Sequence, residues 1–590
     1  MALLLRDSDI YYYLLNDPLL DWLNMFGKDL FVPDTIRSDY DVRLDFTQYV
    51  KEKAVIFQEK CAQGIHYKLS AQDLSSHPSP IWQIGMEKTD IWKQSCHEAT
   101  LDAMQKQVPV IKNAILHNPE LRVACNIDFL VRSDLIHHFS SHSLTEEQAS
   151  KKTYVVLNTA FVGLHFTVAK PGIPSHLKST PSLNYHKAKL WLHIETLNRY
   201  QTGPQLGCLL GRKWESIHEY SNHAFDRVGV IHMEDALKRD PVAALEWRRR
   251  LQREGKDWQV LPVPSVPELY PNMKNRQSGH WAHAKKIIAT ELNEITRMWN
   301  VRYNHRTELH DMGYTRLEQI DDLIGLLQIK DWKYAPTMQA IHEINQESCK
   351  DLILPAKIES TKFDWQDDAP IEFFVDFETV SSLGDTLENF PLQLDTTLIA
   401  MIGLGYVEPG TKKWIHEDFS TERLTQHQEH KIIQKWLNYM TKVEKKWMVE
   451  PPAQHRVWCY SKAEANFLEE QVNSAFRRHD MIEWRHQIVW CDLQELMMDI
   501  PIVIKGCYNF SLKSVARALY KQGKIDVIWP ESQIDCGLAA MIGLFRSNEE
   551  AIKQNTTMKR IPWMDDIEAY NRLDVLAMQK ILDYLRTHHS

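Results

Sequence analysis

From residue 371 onward, short apolar runs of strand length alternate with segments whose apolar residues recur every three or four positions. "IEFFVDFETV" (371–380) predicts a strand. "TTLIAMIGLGYV" (396–407) and "KKWIHEDF" (412–419) predict two more, joined as a hairpin through the Pro-Gly turn "EPGT". "TQHQEHKIIQKWLNYMTKVEKK" (425–446) reads as a long amphipathic helix. The strand "RVWCYS" (456–461) leads into a predicted helix "KAEANFLEEQVNSAF" (462–476), and "HQIVWCDL" (486–493) is a further strand. "NFSLKSVARALY" (509–520) and "DDIEAYNRLDVLAMQKILDYLR" (565–586) close the region as helices. This is an α/β pattern.

Helical spacing dominates the preceding stretch. "GHWAHAKKIIATELNEITRMWNV" (279–301) predicts a helix, and "MGYTRLEQIDDLIGLLQI" (312–329) a shorter helical unit opened by a Gly turn. The Pro-rich "VLPVPSVPELYPNMKNRQSGH" (260–280) and the polar "ILPAKIESTKFDWQDDAPIE" (353–372) read as connections. A chain of 590 residues exceeds one ordinary core. Three regions are expected: 1–235, a mostly helical connector at 236–365 and a third region at 366–590. A helix N-terminus in the connector is a candidate phosphate contact.

Composition narrows the class. The chain is 44% apolar and 25% charged, as in folded soluble proteins. No apolar run approaches the ~18 residues of a membrane span. The opening "MALLLRDSDIYYYLLNDP" is too short in its apolar run for a signal-peptide core. Nine scattered cysteines without a C-x-x-C pair read as reduced thiols, so an intracellular, cytoplasmic protein is expected. A net charge of −9 argues against a basic surface overall, though not against a local basic groove. No P-loop and no nucleophile elbow supports ATP-driven or acyl-transfer chemistry.

The acids at 376 and 378 interrupt an apolar strand. Alternation puts Asp376 and Glu378 on one face, where they repel each other unless a cation sits between them. Tyr570 and Asp574 are four apart on the last helix and share its face. D-x-E on the first strand with Y-x-x-x-D on the last helix resembles the DEDD superfamily of 3′–5′ exonucleases. The order of strands and helices resembles a ribonuclease-H-like α/β fold with a mixed sheet. The resemblance implies four acids holding two divalent cations, with Tyr570 orienting the attacking water. For the middle motif, Glu464 in "YSKAEANFL" stands at the matching place, a Glu for the family's Asp. Asp492, ending "IVWCDL", is the other candidate. Magnesium or manganese suits such an all-oxygen donor set.

A second resemblance starts in the N-terminal region and runs through most of the chain, including "ELNEITRMWNV" and "CYNFSLKSVARAL". "EATLDAMQKQVPVIKNAILHNPELRVACNIDFLVR" followed by "YHKAKLWLHIETLNRYQTGPQLGCLLGRKW" resembles RecB-like nucleases, in which a PD-(D/E)XK domain precedes a ribonuclease-H-like one. Asp128 matches the family's Asp, but Asn158 and Ala160 stand at the acid-x-Lys places of the strand "YVVLNTAF". Gln58 takes the early acid position with Glu59 beside it, and Lys189 and His193 replace Gln and Tyr on the following helix. Asn carries no charge to hold a cation, so this first site is expected to have lost catalysis. The expected function is a metal-dependent 3′–5′ exonuclease acting on DNA or RNA, with no membrane partner. The alternative is a non-catalytic nucleic-acid-binding or scaffold protein built from two relic nuclease folds. A third reading keeps the first site active through displaced ligands such as Glu59.

Overall fold

The computed structural model describes residues 4–38, 40–70, 79–138, 152–168, 176–178, 180–216, 219–233, 235–394, 396–449, 455–530, 534 and 536–590. The chain is mixed α/β, with mixed sheets. Strands β1 (Leu5–Arg6), β2 (Ile81–Gln83), β3 (Val110–Asn118), β4 (Val123–Arg132), β5 (Tyr154–His165), β6 (Leu206–Glu215), β7 (Tyr220–Ser221) and β8 (Gly229–His232) form the first sheet. Its order is β2-β3-β4-β5-β6-β7, with β1 on β4 and β8 on β6. Helix α1 (Phe46–Ser70) buries Phe57, Cys61, Ile65 and Leu69 against one face. Helices α2 (Gln94–Gln105) and α3 (Pro181–Leu197) cover the other, where Leu190, Ile194 and Leu197 meet Cys125 and Ile127. Covered on both faces, β4 is buried along most of its length, with Asn126 and Asp128 its two partly exposed positions. Helix α4 (Asp235–Glu254) begins at the expected 235/236 division, and its Ala244 and Leu245 join this first core.

The middle region breaks the long helix expected over 279–301. The helix observed is Ala282–Glu291, because Asn293 turns to φ 41° and the Glu294 amide bonds back to the Ala289 carbonyl. Glu294 then caps the turn Ile295–Arg297 through the Thr296 amide. The unit expected over 312–329 is reduced to the turn Leu317–Gln319 and the four-residue helix Leu323–Leu326. Residues of this region share one core with the C-terminal helices.

In the last third, β9 (Ile353–Leu354) lies apart from a five-stranded sheet built from β10 (Ile371–Val380), β11 (Leu398–Val407), β12 (Trp414–Ser420), β13 (His455–Cys459) and β14 (Trp490–Asp492). β15 (Val503–Ile504) pairs with β9. The sheet order is β12-β11-β10-β13-β14, with β11 antiparallel to β10 and to β12. β13 runs parallel to both β10 and β14. Helix α5 (Gln426–Lys446) covers one face, meeting Ile371, Phe373, Val375 and Phe377 with Ile432, Ile433 and Trp436. The remaining helices are α6 (Leu493–Asp499), α7 (Leu512–Lys521), α8 (Gly537–Lys553) and α9 (Trp563–His589). The helix expected over 462–476 is instead a short turn Ala463–Ala465 running into the π-type turn Asn466–Glu470, and a separate helix Ala475–Arg478 follows. α8 was not legible from periodicity: Gly537 and Gly543 weaken its helical signal. Tertiary packing supplies the stability, with Gly543 set close against Ile567 of α9.

Two features place α9 on the sheet. Arg586 donates to both carboxylate oxygens of Glu372 at 2.6 and 2.8 Å, a bidentate pair at the start of β10. On β11, Gly403 and Gly405 leave room for the helix: a Cβ at Gly403 would stand 1.7 Å from Asn571 Oδ1. The segment after β10 is tied to the first sheet. Arg212 of β6 donates to the Ser382 carbonyl at 3.1 Å and hydroxyl at 2.8 Å, and Asn222 donates to the Gln393 carbonyl at 2.7 Å.

Gly403→Ala should therefore destabilise the fold by about 1–3 kcal/mol, the cost of overpacking a filled contact. Gly537→Ala faces open space and should move the transition little. Urea midpoints of the two variants check this.

Candidate metal centre

Strand alternation turns Asp376 and Glu378 toward α9, and the helix brings Asp574 over them. The helix is held at its far end by Arg586, twelve positions beyond Asp574, or ~18 Å at helical rise. Glu372 to Glu378 spans ~20 Å of strand. The two lengths match, so the ion pair at one end brings the acids together at the other. One carboxylate oxygen from each of Asp376, Glu378 and Asp574 lies within 4.8 Å of the other two. No other group of this kind occurs among the described residues. Glu378 and Asp574 are buried, while Asp376 is partly exposed.

Like charges so placed are costly. At an effective dielectric of about 20, two unit charges at 4.8 Å repel by about 3.5 kcal/mol. Three such pairs cannot all be ionised without compensation. Desolvation and the Asp574 charge hold the Asp376 carboxyl well above the ordinary range. Desolvation, Asp376 and Asp574 do the same to Glu378. Asp574 is raised to about 6 by burial, against the opposing pull of Lys513 and a hydrogen bond from Trp529 Nε1 at 2.6 Å. Lys513 of α7 is the cation common to all three, and it lies 4.0 Å from the Tyr570 ring centroid and 5.5 Å from that of Trp529. A single ammonium does not balance three carboxylates.

The two candidates for the middle acid are placed differently. Glu464 is buried beside Asp376, takes a hydrogen bond from the Phe377 amide, and is raised by desolvation and the Asp376 charge. Its Oε2 is buried without a hydrogen-bond partner among the described residues. Glu464 lies outside the group of three but next to it. Asp492 is committed elsewhere: its Oδ1 accepts from the Ser461 amide at 2.9 Å and from the Glu495 amide at 3.0 Å, capping α6. An all-oxygen donor set with an orphaned carboxylate oxygen at its rim fits a hard divalent cation. Asp376, Glu378 and Asp574 would hold it, with Glu464 available to a second ion.

Tyr570 hydrogen-bonds Asp574, and burial and the surrounding acids push its phenol far up. It remains protonated at neutral pH and can orient a water but not deprotonate one. Three residues at the centre were not identified from sequence. Asn571 donates to Asp376 Oδ2 at 2.7 Å and to its carbonyl at 3.2 Å. It stands three positions before Asp574 on the same helix face, a spacing that would have revealed it. Lys513 and Trp529 come from a helix start and an irregular segment, and no local signal marks them.

The first site is closed by its own partners. Asp128 Oδ2 accepts from the Thr159 amide at 2.7 Å and hydroxyl at 2.8 Å. Asn158 bonds His193 Nδ1, and His193 Nε2 lies 2.7 Å from Asp7 Oδ2, with Lys189 at 3.7 Å. Burial alone would raise the Asp7 carboxyl, but Lys189 and His193 outweigh it and bring it down to about 2. That carboxylate stabilises the fold above the ordinary pKa, and the contribution is lost as pH falls from about 4 toward 2. Gln58 donates to Asn113 Oδ1, and Glu59 pairs with Lys112. Ala160 contributes no polar group. No second acid cluster forms here among the described residues.

No family model, curated protein or solved structure matches this chain. No helix among the described residues is long and apolar enough to cross a membrane.

The raised carboxyls carry a pH signature. A folded-state pKa above the unfolded value means that stability falls as pH rises through the window between them, about 4 to 6 for Asp574. Manganese or magnesium binding needs the ionised forms, so the thermal shift from either ion should be large at pH 8 and small at pH 5. At a hundredfold excess over Kd it corresponds to about 2.7 kcal/mol. Asp574→Asn should abolish the shift, as read by calorimetry.

Proposed function

We propose that this protein is a metal-dependent nuclease that hydrolyses phosphodiester bonds of DNA or RNA at the carboxylate centre of its C-terminal region. The observation that carries the reading is the convergence of Asp376, Glu378 and Asp574 within 4.8 Å beside Glu464, whose Oε2 has no partner among the described residues. The order β12-β11-β10-β13-β14, with acids on the central strand and the last helix, supports a ribonuclease-H-like fold of DEDD type. Attack from a 3′ end is inferred from that resemblance. The first sheet, with helices on both faces, is read as a PD-(D/E)XK-like fold whose site is now a structural network, in an overall RecB-like arrangement.

Two bound divalent cations would activate a water and stabilise the leaving oxygen. This chain's residues do the rest. Asp376, Glu378, Asp574 and Glu464 supply the ligands, and Asn571 fixes the Asp376 carboxylate by its 2.7 Å hydrogen bond. Trp529 orients Asp574. Tyr570, kept protonated, positions the water from its place beside Asp574. Asp492 is left to cap α6.

End-labelled single- and double-stranded DNA and RNA, incubated with magnesium, manganese or EDTA, test the proposal. Wild type should cleave at least one substrate in a metal-dependent way. Asp376→Ala should lose more than the 10–100-fold typical of residues outside the ligand shell, while Asn158→Ala retains activity. Binding without cleavage of any substrate would favour the scaffold alternative. Cleavage surviving Asp376→Ala would move the chemistry to the first region.

A further inference from the structure

A surface pocket of about 420 Å³ lies between the edge strand β12 and helix α5, outside the acid centre. Lys435, Asn438, Tyr439 and Lys442 reach it from α5, at offsets of three, four and seven that form one stripe of the helix. Lys559 enters from the turn that precedes α9. All three lysines are exposed, and none is ion-paired among the described residues. Two acids share the lining. Asp418 is already matched, by His416 Nε2 at 2.8 Å and Arg572 at 3.1 Å, while Glu417 is exposed. The pocket therefore presents three lysines against the exposed Glu417, with Glu568, held by the lining Ser420, facing Lys559 as a second acid.

Sheet register relates the pocket to the centre. Asp376 pairs with Gly403, and Gly403 with Asp418; Glu378 pairs with Met401, and Met401 with Ser420. The pocket thus lies level with the acid pair along the strands, at the sheet edge two strands away (~10 Å), on the face that α5 covers rather than the one where the acids meet α9.

We infer that this pocket binds a nucleotide of a single-stranded nucleic acid, with the three lysines on its phosphates, as a contact at the sheet edge outside the cleavage centre. The inference rests on the nucleic-acid reading above but not on cleavage. The lining favours a nucleotide over an acidic peptide. Glu417 repels a ligand that is anionic throughout, but it can accept from the amino groups of a base, and Asn438 can donate and accept on a base edge.

The test is binding of labelled single-stranded DNA and RNA oligonucleotides in EDTA, followed by fluorescence anisotropy across a salt series. The triple variant K435Q/K442Q/K559Q should bind at least tenfold more weakly at low salt. Its slope of log K against log salt should be shallower by about 2, since each single-strand phosphate contact contributes about 0.7. The variant K435R/K442R/K559R should bind as wild type does. The equally exposed set K28Q/K88Q/K256Q, which removes the same charge elsewhere, should leave slope and affinity nearly unchanged. A 5′-mononucleotide should compete better than inorganic phosphate, and polyglutamate should compete poorly. Equal losses in the two glutamine triples, no oligonucleotide binding by wild type, or competition by polyglutamate as strong as by oligonucleotide would each overturn the inference. Failure here is separable from failure of the nuclease reading. Cleavage with an unchanged salt slope would sink only the pocket, and binding with the expected slope loss but no cleavage would sink only the nuclease.

Discussion

Mutual repulsion among Asp376, Glu378 and Asp574 is the constraint around which the C-terminal region is organised. Left to itself, a helix carrying Asp574 would drift from a strand carrying two acids. It is held by the bidentate Arg586–Glu372 pair, by the bare backbone at Gly403 and Gly405, and by Asn571 bonded to Asp376. The repulsion is about 3.5 kcal/mol for each ionised pair at 4.8 Å. Protons relieve it at low pH, which is why the carboxyls are raised, and the Lys513 charge relieves part of it. A divalent cation would relieve it most fully, and at neutral pH.

The first sheet presents the opposite solution. Where the resemblance to PD-(D/E)XK nucleases leads one to expect several acids free for a metal, Asp7 is enclosed by His193, Lys189 and the Asn126 amide, and Asp128 is taken up by Thr159. Its charge is balanced within the fold and leaves nothing for a cation to neutralise. That region instead buttresses the other: Arg212 and Asn222 fix the segment that follows the acid strand, and Tyr49 of α1 stacks on Phe545 of α8 at 5.5 Å. These contacts give the first region a mechanical role in holding the other.

Much of this was legible in the sequence because period alone determines it. The D-x-E strand, the hairpin β11–β12, the long helix α5 and the Y-x-x-x-D face of α9 follow from spacings of two and of three to four. What failed to read depends on tertiary contact or on single residues. The helix over 279–301 stops at Asn293, whose positive φ no apolar pattern announces. The stretch after β13 carries a helical pattern yet breaks into a short turn that buries Glu464 and a π-type turn that buries Glu469. Lys513 and Trp529 reach the centre from segments remote in sequence. The choice between Glu464 and Asp492 was open in the sequence, because a strand-end Asp and a turn Glu are equally good ligands on paper. The hydrogen bonds that commit Asp492 to the Ser461 and Glu495 amides distinguish them.

Anomalous diffraction from crystals grown with manganese tests most directly whether these carboxylates form a cation site. A peak within bonding distance of oxygens from Asp376, Glu378 and Asp574 is expected, ~2.1–2.3 Å away as for a hard divalent ion, with a second peak near Glu464 if two ions bind. Absence of any peak at saturating manganese, with the Lys513 ammonium seated among the three carboxylates, would contradict it.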